Sequence, residues 1–113
     1  MKFRTTLKLV AAGIAAASMA AAAQAADVKF GFAAPLTGPQ SHYGEDMQNG
    51  LNLALEEANK KGIKVDGQPA KFVLVSRDDQ ADPRVGVQVA QQLVDENVVG
   101  ILGHFNSCLL YTS

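Results

Sequence analysis

Three short apolar runs, Val28–Ala34 (VKFGFAA), Lys71–Ser76 (KFVLVS) and Val98–Leu102 (VVGIL), are separated by two stretches of helical period. This alternation admits few folds. None of the runs alternates polar with apolar residues, the pattern of a strand with one wet face. Strands buried on both faces belong to parallel sheets with helices packed on either side. In the first intervening stretch, Gly44–Lys61, residues Met47, Leu51, Ala54, Leu55 and Ala58 fall on one helix face. Glu45 and Asp46 then lie in its first turn and Lys60 and Lys61 in its last, each matched to the helix dipole, with Gly62 as the stop. The second helix opens on Asp82 as N-cap and Pro83 at the first helical position. Val85, Val89, Ala90, Leu93 and Val94 form its apolar face. Residues 35–43 (PLTGPQSHY), the Asp66-Gly67 turn and residues 77–81 read as connections. The expected architecture is α/β: a Rossmann-like parallel sheet in the order β-α-β-α-β, with right-handed crossovers and no helix after the third strand.

Ahead of this unit, Met1-Lys2-Phe3-Arg4 and Lys8 form a positive head, Leu9–Ala23 an uncharged Ala-rich stretch, and Ala23-Gln24-Ala25 a small-x-small cleavage site. That is the order of a secretory signal peptide over residues 1–25. The apolar run falls short of the ~20 residues a membrane span needs, so the product is expected to be exported to the periplasm without membrane insertion. Lys2, Arg4 and Lys8 leave with the signal, which takes the ten basic residues to seven against eleven acidic ones. A mildly acidic exported chain without a basic run is not built for nucleic acid.

Ligands of open parallel sheets bind at the carboxyl ends of the strands. Here those ends carry Thr37-Gly38, Ser76-Arg77-Asp78-Asp79 and Gly103-His104-Phe105-Asn106-Ser107. The spacing around Gly38 and Ser41 fits neither dinucleotide nor P-loop fingerprints. Asp78, Asp79 and Asp82 could be drawn as a metal or phospho-acceptor cluster, but capping and loop tethering account for them, and no metal or cofactor is expected. His104 and Ser107 lack the setting of a nucleophile elbow. His104 reads as a structural hydrogen-bonder, and no catalytic residue is assigned.

Taken together, KFGFAAPLTGPQSHYGEDMQNGLNLALEEANKKGI, the DG turn, VSRDDQADPRVGVQVAQQLV and VVGILGHFNS resemble the periplasmic leucine/isoleucine/valine-type binding proteins of ABC transporters. The DDQADP element and the GH-x-x-S ending carry most of that likeness. The resemblance implies a truncated first lobe of a type I periplasmic binding protein, closing on its ligand by hinge motion. It implies a non-enzymatic protein, monomeric at full length, that delivers a small amino acid to a membrane permease. It implies that Ser107 meets the ligand's α-carboxylate and that Tyr43 packs on its side chain. An exported ligand-sensing regulatory domain of the same fold is the alternative.

The resemblance covers residues 26–107. Beyond it the chain ends Cys-Leu-Leu-Tyr-Thr-Ser, with Cys108 its single cysteine. The codons TGT CTC TTA TAC ACA TCT encode that string and match a transposase sequencing adapter. Residues 108–113 are therefore expected to be a non-native tail.

Overall fold

The computed structural model describes residues 26–113, so the signal peptide assigned to residues 1–25 lies outside it. Four strands and three helices follow in the order β1 (Ala26–Ala34), α1 (Ser41–Lys60), β2 (Lys64–Val65), β3 (Gln68–Asp78), α2 (Pro83–Asp95), β4 (Gly100–Gly103) and α3 (Ser107–Thr112). The sheet order is β2-β3-β1-β4. β1 is central and runs parallel to β3 and to β4. Each of the two crossovers carries one of the expected helices, and the α/β class stands.

Pleating sends successive side chains of β1 to opposite faces. Phe32 faces α1 and shares a cleft with Met47 and Leu51. Gly31 and Ala33 face α2. A Cβ on Gly31 would lie 3.2 Å from Leu93, and Ala33 packs with Val89 and Leu93 in the core. The two helices thus cover opposite faces of the same strand. At the far end of α1, the Asn59 side chain makes two hydrogen bonds to one residue of β3. Its Nδ2 donates to the Phe72 carbonyl at 2.9 Å, and its Oδ1 accepts the Phe72 N–H at 2.7 Å.

Three features depart from the sequence-based expectation. First, the sheet is mixed: a fourth strand, β2, pairs antiparallel with β3. The Asp66-Gly67 turn is its cause. Both residues have positive φ, 51° and 75°, as a tight hairpin turn of the right hand for β-twist demands, and glycine takes that conformation without strain. Two residues of strand are too few to leave a periodic trace. Second, α1 begins at Ser41, not Gly44. Ser41, His42 and Tyr43 form its first turn, and Glu45 and Asp46 lie beyond that turn, where they no longer match the helix dipole. Third, a six-residue helix, α3, follows β4 where none was expected. Leu109 within it is wholly buried, while Leu110 and Tyr111 are exposed. Among the described residues, no helix is long and apolar enough to cross a membrane.

Candidate functional site

The carboxyl ends of β1, β3 and β4 lie side by side, because the registers pair Ala34 with Asp78 and Ala33 with Gly103. Three loops leave from there, and side chains of β3 and its loop bind them together. Asp78 closes β3. Its Oδ1 accepts the Leu36 N–H at 2.9 Å and the Gln80 N–H at 2.9 Å, and its Oδ2 accepts the Thr37 hydroxyl at 2.5 Å. Burial pushes the Asp78 carboxyl up. The Thr37 hydroxyl, with the N–H groups of Leu36, Gln80 and Thr37, outweighs that and holds it below the ordinary carboxylate range.

Asp79 is wholly buried and bonds to His104 at the start of the β4–α3 loop, Oδ2 to Nδ1 at 2.8 Å. Asp82 accepts the Arg84 N–H at 2.8 Å as the α2 N-cap. Hydrogen bonds from the Arg84 side chain and then its backbone lower the Asp82 carboxyl. Capping and tethering thus engage all three aspartates. Among the described residues, no group of three or more His, Cys, Asp and Glu side chains is placed to hold a metal ion.

Tyr43 projects from the first turn of α1 and stacks on Phe105 of the β4–α3 loop. Their ring centroids lie 4.9 Å apart with planes at 18°, an arrangement aromatic rings favour. His42 also lies against Tyr43, centroids 4.0 Å apart. A second link joins the same two segments, since Asn106 Nδ2 donates to Gln40 Oε1 at 2.9 Å. The Asn106 Oδ1 is buried without a partner among the described residues. Ser107, the first residue of α3, is exposed beside this clasp. Tyr43 and Phe105 are each nearly half exposed, so the stack stands at the mouth of the site. An apolar cleft of about 530 Å³, walled by Phe32, Met47, Leu51, Leu102 and Phe105, opens next to it.

Tyr43 and Ser107 therefore belong to segments that the fold holds together through Phe105 and Asn106. Those two intermediaries, with Gln40, escaped the sequence reading. An aromatic stack between residues 62 positions apart leaves no spacing to detect, and neither does the Gln40–Asn106 bond. The arrangement offers hydroxyl and N–H donors beside an aromatic and aliphatic wall, which suits a small ligand with a carboxylate at one end and an apolar body.

A family model described as periplasmic binding protein matches residues 27–111. The Leu/Ile/Val-binding protein homolog 2 of Brucella abortus is 44% identical over 82 residues, covering 73% of this chain and 21% of that protein. The branched-chain amino acid transporter substrate binding protein LivJ of Streptococcus pneumoniae, solved in complex with isoleucine, superposes with a TM-score of 0.67 at 26% identity, over 76% of this chain and 24% of that one. The fatty acid ABC transporter substrate-binding protein of Thermomonospora curvata superposes equally well, with a TM-score of 0.67 at 29% identity, over 77% of this chain and 21% of that one. The chain spans between a fifth and a quarter of the length of these proteins.

Proposed function

The chain belongs to the periplasmic binding protein family, and from that premise we propose that it is the N-terminal part of the first lobe of a solute-binding protein delivering branched-chain amino acids to an ABC transporter. Residues 1–25 export it to the periplasm, and its partners are the ligand and the transporter's permease. Ser107 takes the α-carboxylate with its hydroxyl and backbone N–H. Tyr43, braced by Phe105, walls the aliphatic side chain. The observation that carries this reading is the Tyr43–Phe105 stack, two residues from Ser107, at the carboxyl ends of the parallel strands. The name of the Brucella relative and the isoleucine in the Streptococcus structure support the choice of ligand.

A second reading has its own support in the fatty acid transporter's binding protein, whose likeness to this chain is equal in TM-score. A fatty acid shares the carboxylate but has a longer apolar body and no ammonium group. Calorimetry on the full-length protein separates the two. Leucine, isoleucine or valine should bind, and a medium-chain fatty acid should not; the reverse result overturns the amino-acid reading. Ser107→Ala should weaken leucine binding about tenfold or more, since a hydrogen bond to a charged group is worth about 1.5–3 kcal/mol. Backbone donors remain, so binding should persist. Unchanged affinity would remove Ser107 from the site.

A further inference from the structure

We propose that the buried Asp79–His104 pair positions the Ser107 loop, so that both residues act on the ligand carboxylate through Ser107 without touching it. The inference rests on the role given to Ser107 above. The Asp79 side chain is fully buried and that of His104 is 4% exposed. A buried carboxylate must find partners, and those of Asp79 come from different loops. Its Oδ2 bonds to the His104 ring at 2.8 Å, its Oδ1 accepts the Ala81 N–H at 2.9 Å, and its own N–H donates to the Ala34 carbonyl at 3.1 Å. One residue thereby connects the ends of β1, β3 and β4. The bond between Oδ2 and Nδ1 ties the His104 ring to Asp79 through one ring nitrogen and so fixes the plane in which it sits.

The His104 Cε1 approaches α2 at Gly86, where a Cβ would lie 3.5 Å from it. Ser107 follows three residues after His104, as the first residue of α3. The segment 104–107 is thus held at three successive positions: His104 on Asp79, Phe105 on Tyr43, and Asn106 on Gln40. The first is the bond to a charged group and the strongest of the three. Desolvation offsets much of the attraction in a buried pair, so its net stabilisation is small. What it fixes is the direction in which the loop leaves β4.

The test is a double-mutant cycle in the full-length protein, with leucine affinity read by calorimetry. His104→Ala should weaken binding about tenfold, comparable to losing one charged hydrogen bond. His104→Asn places an amide donor near the position of Nδ1 and should restore most of that affinity. In a Ser107→Ala background, His104→Ala should cost less than about twofold more, because residues acting through one contact are not additive. Wild-type affinity in His104→Ala, or an undiminished cost in the Ser107→Ala background, overturns the proposal while leaving Ser107 in the site. Wild-type affinity in Ser107→Ala overturns both. Should His104→Ala not fold, Asp79→Ala reads the same point. It removes the acceptor from His104 and from Ala81 together. A several-fold loss confined to the Ser107-containing background supports the pair's role, and wild-type affinity ends it.

Discussion

Asp78 shows how one side chain can set a loop and make it sensitive to acid. Its carboxylate accepts from Leu36, Thr37 and Gln80, and these donors hold its pKa below the ordinary value against the opposing effect of burial. Because the folded-state pKa is depressed, the stabilisation is fully present above the unfolded value of about 3.9. It is lost as pH falls below that value and through the folded one. Asp78→Asn removes this titration. The thermal midpoint of the full-length protein should therefore fall as the pH drops below about 4, and the fall should be shallower in Asp78→Asn. Parallel curves for the two proteins would show that Asp78 takes no part in the acid response. Asp82 has a lowered pKa as well, but it bonds to the exposed Arg84, where solvent screens the interaction, so its share of the slope should be the smaller.

At the scale of the element, the start of α1 decides where Tyr43 stands. Gly44 is buried against the first loop, and a Cβ there would run into the carbonyl of Pro35. Backbone cannot move aside as a side-chain tip can. Gly44→Ala should cost about 1–3 kcal/mol in denaturant unfolding of the full-length protein, the range for overpacking, and should displace Tyr43 from Phe105. A stability change under about 0.5 kcal/mol, as for a neutral surface substitution, would mean that the loop relaxes freely. Much of this level was legible in the sequence. The apolar runs marked β1, β3 and β4, and Asp82-Pro83 marked the start of α2 to the residue, because those signals are local. The early start of α1 was hidden because Gln40 gives no side-chain cap, which left only the proline-rich stretch before it as a boundary. β2 and α3 were hidden because two and six residues carry no period. The meeting of Phe105 with Tyr43 depends on β4 returning beside β1, and no local pattern encodes that.

At the scale of the whole molecule, the apolar surface left in view is large relative to the core. The wholly or nearly buried apolar side chains are Phe32, Ala33, Ala34, Val89, Leu93 and Leu109, three of them small or β-branched. Val99, Ile101 and Leu102 around β4 remain exposed, as do Leu53 and Val94 on the helices. A core of this size leaves little margin over chain entropy. Residues 26–113 expressed alone should therefore unfold without a sharp transition and bind a hydrophobic dye. A cooperative melt raised by leucine would show that this part of a lobe suffices. Asn59 bears on the same hazard. On the side of β3 away from β1, its amide gives Phe72 one donor and one acceptor, the pair another strand would offer. It acts as a stopper against recruitment of a foreign strand along an open edge. Asn59→Ala would leave both Phe72 groups free for a second molecule, and light scattering of the full-length protein should then rise on storage. Asn59→Asp should fail to protect, since a carboxylate accepts the Phe72 N–H but has nothing to donate to its carbonyl.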